Sequence, residues 1–271
     1  MIAALRSELL KLTSVRLWWV LLLILVGYVG FTAALLAGLF GAISAQPGQA
    51  DAPQLPAEVL PPIVYSTATA IGYVFPLILG ALAVTSEFRY QTLTPTFLAQ
   101  PRRGVVLGAK LVVLAIAGAV YGIAALVASV GLGAPVLGFT GVPTALDVSD
   151  TWLLMARVVL AMGLWAAVGV GLGTLIPNQI ASIVIVLAFT QFLEPILRFG
   201  TAFIDWTAAV GRFLPGAASD ALVGASVYTS LGVGSSTVEA LEWWQGGLVL
   251  AAYGVVIAVA GAFTTWRRDV T

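Results

Sequence analysis

The chemistry open to this chain is narrow. Its 271 residues include no cysteine and no histidine. That removes disulfides, thiolate metal sites, the commonest general base and the commonest metal ligand. The only lysines are Lys11, between Leu10 and Leu12, and Lys110, between Ala109 and Leu111. A phosphate-gripping P-loop needs a lysine directly between Gly and Ser or Thr, so the chain lacks the means to hydrolyse ATP by that route. No paired acids recur at helical spacing, and neither catalytic residues nor metal ligands are expected. Two groupings remain. Glu194 and Arg198 stand four residues apart on one helical face, with Pro195 between them. They read either as a local ion pair near the outer interface or as an outer gate. The second grouping is Ser86-Glu87-Phe88-Arg89-Tyr90-Gln91-Thr92-Leu93, continuing through Gln100-Pro101-Arg102-Arg103-Gly104 to Ala109-Lys110. Aromatic side chains beside arginines have the composition of a protein interface. The plainer reading is a solvated loop whose arginines meet lipid headgroups.

The elements that must position these residues are membrane spans. The chain is 60% hydrophobic and 9% charged, with mean hydropathy +1.05, where soluble domains carry about 25% charged residues. Apolar runs of spanning length fall at about 17–45, 63–85, 111–133, 158–176, 180–199 and 245–266, all charge-free except the fifth, which carries Glu194 and Arg198 in its last turns. The expected fold is therefore all-α, a single transmembrane domain over 1–271 with six spans and both termini on one side. The first run is about twice the 7–15 residues of a signal-peptide core and is expected to stay as a span.

Charge orients the spans. Arg6, Lys11, Arg16, Arg89, Arg102, Arg103, Lys110, Arg267 and Arg268, nine of the 12 basic residues, fall on one side. Only Glu8, Glu87 and Asp269 accompany them. Positive loops stay inside, so both termini are expected in the cytosol. Residues 1–16 read as an interfacial helix lying on the inner leaflet, with Ile2, Leu5, Leu9 and Leu12 on the membrane face and Glu8 and Lys11 away from it. In the inner loop 86–110, Pro95 and Pro101 predict a small helix followed by a turn. Pro177-Asn178-Gln179 predicts a tight inner turn that pairs the fourth and fifth spans as a hairpin. The proline-rich stretch 46–62 reads as an extended outer loop, and 135–150 as a short acidic one. The outer segment 200–244 stays apolar enough to be re-entrant or to lie along the interface. Gly118 with Gly122 and Gly169 with Gly173 provide small faces for close helix packing. Trp165, Phe189 and Phe192 are packed aromatics or the lining of a substrate path.

The motifs also resemble a known family. Ser7-Glu8-Leu9-Leu10-Lys11-Leu12 through Val15-Arg16-Leu17-Trp18-Trp19 is similar to the opening of type-2 ATP-binding-cassette (ABC) transporter permeases of high-GC bacteria. Thr85 to Leu93, Gln100 to Arg103 and Ala109-Lys110 resemble that family's loop after the second span, and Leu214-Pro215-Gly216 is similar too. The family usually has Gly where Gln91 stands. The resemblance implies a non-catalytic exporter subunit in the bacterial cytoplasmic membrane, moving a small molecule, peptide or lipid. It implies pairing with a second, identical or related permease and a cytosolic ATPase that holds the ATP and Mg. The loop after span two would be a coupling helix, touching the ATPase through Glu87, Phe88, Arg89, Tyr90 and Thr92. Arg102 and Arg103 would hold it at the membrane surface, and Asn178 and Gln179 would form a smaller second contact. No cofactor is expected on this chain itself, and its other partners are lipids, not nucleic acid. The alternatives are an ion-coupled carrier and an accessory protein without transport; a membrane enzyme fits the residues less well.

Overall fold

The computed structural model describes residues 1–44, 56–200, 209–226, 230 and 241–264. Six helices are long and apolar enough to cross a bilayer: Leu17–Ser44, Ala57–Arg89, Arg103–Phe139, Ser149–Leu175, Gln179–Gly200 and Trp243–Thr264. No strand occurs among the described residues. The chain is an all-α, multi-pass membrane protein. In chain order the helices are α1 (Ile2–Ser14), α2 (Leu17–Ser44), α3 (Leu60–Ala70), α4 (Val74–Arg89), α5 (Leu93–Ala99), α6 (Arg103–Phe139), α7 (Ser149–Leu175), α8 (Gln179–Ala188), α9 (Glu194–Gly200), α10 (Pro215–Val223) and α11 (Trp243–Thr264). Of the proline-rich loop expected over 46–62, residues up to 55 lie outside the described set, and the rest is helical from Ala57, with Pro61 and Pro62 in the first turn of α3. Residues 201–208, 227–229, 231–240 and 265–271, with Arg267, Arg268 and Asp269, also lie outside it.

Spans two to four overrun the charge-free runs at their ends. Charge marks the edge of a run but does not end a helix when the charge is paired. Lys110 lies inside α6, and Arg157 inside α7. The inner loop expected over 86–110 is accordingly shorter and runs from Tyr90 to Arg102. Within it α5 spans 93–99, the small helix expected there, with Pro95 in its first turn, where no backbone N–H is needed.

Small residues set the packing. α7 lies at the centre, against α4, α6 and α11. A side chain at Gly169 would place its Cβ 2.1 Å from the Leu77 carbonyl oxygen. Only glycine lets α4 and α7 approach this closely. Gly118 and Gly122 face Met162 on α7, and Gly173 faces Ala81 and Val84. Both glycine pairs serve packing inside the chain. α2 runs parallel to α6, with the Tyr121 hydroxyl donating to the Trp18 carbonyl near one end and Gly41 against Thr140 at the other.

Two spans are interrupted. Span two breaks at residues 71–73, between α3 and α4. Pro76 has no N–H for the Gly72 carbonyl, and its ring excludes the α-helical path there. The Phe75 N–H takes that carbonyl instead, at 3.1 Å. Span five carries a π turn over Phe189–Leu193, where the Glu194 N–H reaches back to the Phe189 carbonyl. Pro195 follows directly and cannot donate to Gln191.

Several expectations need correcting. The turn at 177–179 forms, but span five does not lie along span four. It packs chiefly on α4, antiparallel, with Arg89 bonded to Gln179 at one end and Tyr73 to the Thr190 carbonyl farther along. A large share of the α7 surface is already covered by α4, α6 and α11, leaving α4 as the open wall. α1 also turns a different face inward. Leu5, Glu8, Lys11 and Leu12 face the bundle, while Ile2 is 84% exposed and Leu9 and Leu10 are exposed with it. The expected apolar face is thus divided: Leu5 and Leu12 pack inward beside the ion-paired Glu8 and Lys11, while Ile2 and Leu9 turn away.

The segment expected on the outer side includes a buried helix. α10 lies beside the start of α11, with Ala218 and Leu222 against Gly246 and the Phe213 carbonyl bonded by Tyr253. From Gly246 to Tyr253 is about 10 Å of helix axis. α10 therefore runs back along the first turns of α11 toward its amino-terminal end and finishes at left-handed Gly224 (φ +84).

Candidate functional site

The three irregular pieces of backbone meet. The break in span two, the π turn in span five and the start of α10 surround one cavity of about 550 Å³. Irregular backbone at membrane depth is tolerated where it lines a cavity or is buried in protein, and π turns gather at functional sites. Tyr73, at the break, stacks on Trp165 of α7 with ring centroids 4.4 Å apart. Trp165 Nε1 donates to Ser219 Oγ of α10 at 3.0 Å. These two bonds fix the break and α10 to the central helix.

Among the described residues, the charged part of the cavity is a network of Glu194, Arg198 and Asp220. Glu194 is only 2% exposed. Its Oε1 accepts from Arg198 Nη2 at 3.1 Å and from the Gly216 backbone N–H at 2.5 Å. Arg198 Nη1 donates to Asp220 Oδ2 at 2.7 Å, and Ser226 Oγ donates to the same oxygen at 2.7 Å. Gly216 is required by this approach, since a Cβ there would lie 2.3 Å from Glu194 Oε1. The α10 amino terminus thus meets a carboxylate, the charge its dipole favours. Glu194 and Arg198 do form the expected ion pair. Asp220 joins them as a residue that spacing alone did not single out, although an acid in an apolar segment just after Leu214-Pro215-Gly216 was the available signal. Trp165 is packed, Phe189 is half-buried and Phe192 is exposed on the outside of the bundle.

A second charged network stands at the other end, where α1, α4, α5 and α6 converge. Lys110, 1% exposed, donates to Glu8, to Glu87 at 3.0 Å and to the Ala83 carbonyl at 3.3 Å. Lys11 donates to Glu8 at 2.7 Å, Glu87 at 2.8 Å and Thr96 Oγ1 at 3.2 Å. Burial works against charge on Lys11, but the bonds to Glu8 and Glu87 outweigh it and raise its pKa above the ordinary 10.5. This network ties the end of α4 to α1 and α6, and it reaches the loop after span two through the Lys11 bond to Thr96. A lone lysine inside an otherwise apolar helix start was its one sequence signal.

The loop residues expected to meet a partner divide into two groups. Glu87 and, in part, Phe88 face inward. Arg89, Tyr90 and Thr92 are exposed, as is Arg102, and Tyr90 is 69% exposed beside Leu98 at 79%. Arg103 lies over the Phe97 ring at 4.9 Å. Arg89 Nη1 donates to Gln179 Oε1 at 3.1 Å, bringing the two expected contact regions together. The Asn178 side chain caps α8 by accepting from the Ile180 and Ala181 N–H groups. Gln91 adopts φ +54, the left-handed form that glycine takes most easily. No known family model matches the chain, and a search of curated proteins finds no match either.

Proposed function

We propose that this chain is the membrane subunit of an exporter driven by a separate cytosolic ABC ATPase, with the Arg16, Arg89 and Arg103 end in the cytosol. The observation that carries the reading is the loop after span two. Buried ion pairs at Glu87 fix the end of α4 from which it leaves, Thr96 of its short helix accepts from Lys11, and Arg89, Tyr90, Leu98 and Arg102 are presented outward. A loop that only obeyed topology rules would need no buried anchor. A clamped loop transmits force into α4, and α4 leads to the cavity. The motif resemblance, the positive-inside asymmetry and the absence of a P-loop from the chain support the same reading. Pairing with a second permease chain belongs to the proposal as well, and the transported molecule would pass through the cavity region.

The test is co-purification from native membranes followed by ATPase assay of the reconstituted complex. A P-loop chain is expected to travel with this protein. Arg89→Glu, which leaves the buried clamp intact, is expected to lower transport-coupled ATP hydrolysis about fivefold, roughly 1 kcal/mol at an interface. Insertion into the membrane should be unchanged. Absence of an ATPase chain, or full coupling in the variant, would defeat the assignment. A second reading, an ion-coupled carrier, draws on Glu194, a buried acid beside a cavity. It predicts transport by the chain alone in vesicles without nucleotide.

A further inference from the structure

The cavity is charge-unbalanced, and this bears on what it holds. The point deepens the transport reading and rests on it. Among the described residues lining the cavity, the charged ones are Glu194, Arg198 and Asp220. One guanidinium is divided between two carboxylates, so one negative charge is left over in a low-dielectric setting. Glu194 shows where it resides. Oε1 receives both Arg198 and the Gly216 N–H, while Oε2 is buried and accepts no hydrogen bond. A buried carboxylate oxygen with no donor, in a site with surplus negative charge, is stabilised by a nearby positive charge.

The rest of the lining decides which cation fits. Tyr73 and Val74 stand at the break, and Tyr28 and Phe75, with ring centroids 6.3 Å apart, contribute aromatic surface. Aromatic faces attract cations and bury apolar bulk. A hard metal ion needs several oxygen ligands, and no cluster of His, Cys, Asp or Glu able to hold one occurs among the described residues. An anion would meet a bare carboxylate, and a neutral apolar molecule would leave that carboxylate unpaired. The volume of about 550 Å³ suits a drug-sized molecule. We infer that this cavity binds an amphipathic organic monocation, its charged centre opposite Glu194 and its apolar part against Tyr73 and Phe75.

The test uses the full-length chain in lipid nanodiscs, without ATPase. Equilibrium dialysis compares tetraphenylphosphonium with tetraphenylborate, ions of like shape and opposite charge, after subtraction of empty nanodiscs. Saturable binding is expected for the phosphonium and none for the borate. Glu194→Gln keeps an acceptor for Gly216 and is expected to weaken phosphonium binding about tenfold or more. Tyr73→Leu, which alters no charge, is expected to weaken it about fivefold. Equal binding of both ions, or undiminished phosphonium binding in either variant when it elutes and melts as a folded protein, overturns the inference. Should Glu194→Gln fail to fold, Tyr73→Leu and the ion pair comparison decide. Cation binding without ATPase coupling removes only the exporter reading; coupling without cation binding removes only the ligand class.

Discussion

The two buried charge networks differ in one respect that separates their roles. At the loop end, Glu8 and Glu87 meet Lys11 and Lys110, two charges of each sign. At the cavity, among the described residues, two carboxylates, Glu194 and Asp220, share the one guanidinium of Arg198. Each network leaves one glutamate oxygen without a hydrogen bond, Oε2 of Glu87 and Oε2 of Glu194. Satisfaction of individual atoms therefore does not distinguish them. Charge balance does. A neutral network is complete without a guest and joins helices; a network with one charge in excess, beside a cavity, awaits something positive.

The sharpest way to break the comparison is to unbalance the complete network. Lys110→Met leaves Glu8 and Glu87 buried with only Lys11. The expected loss is about 3–5 kcal/mol, the range for removing one partner of a buried pair. Thermal unfolding in micelles reads the loss, and protease cleavage near Ser14 should appear as α1 detaches. A variant that melts as the parent would reduce the clamp to ornament.

A matched pair of substitutions sharpens it. Glu87→Gln removes the charge that both lysines address and is expected to cost about 1.5–3 kcal/mol, the range for bonds to charged groups. Glu194→Gln removes the surplus charge while keeping an acceptor for Gly216. Its expected cost is below about 1 kcal/mol. Equal losses in the two variants would show that both networks are structural clamps.

The smallest effect is in pH. The pKa of Lys11 is raised above 10.5 in the folded chain. A raised value means the folded state holds the proton more tightly, so the contribution of Lys11 is complete below pH 10.5 and fades as pH climbs through the folded value. The stability difference between the parent and Lys11→Met should be flat below that point and narrow above it. A difference that narrows toward acid instead would reverse the assigned sign.

Much of the fold was legible because it depends on local composition. The positions of the six spans, the small helix over 93–99, the turn at 177–179 and the glycine faces follow from apolar runs, Pro95 and small residues. The inward face of α1 was not legible. Ile2, Leu5, Leu9 and Leu12 keep helical spacing, yet Glu8 is the residue buried. Periodicity reports apolar character, which Leu5 and Leu12 satisfy against protein, and carries no information on which distant charge a side chain will meet. The same limit hid Asp220, whose role depends on Arg198 of another helix. The break in span two was readable in principle, since Pro76 removes the donor for Gly72, but an apolar run searched only for charge passes over it.

One consequence concerns biosynthesis. Glu8 is made 102 residues before Lys110, its buried partner. As the nascent chain emerges, the amino-terminal helix must remain undocked until α2, the second span and the first turns of α6 have been inserted. Closure of the clamp is thus a checkpoint in assembly, completed only by a chain whose first two spans and the start of the third have already taken their places.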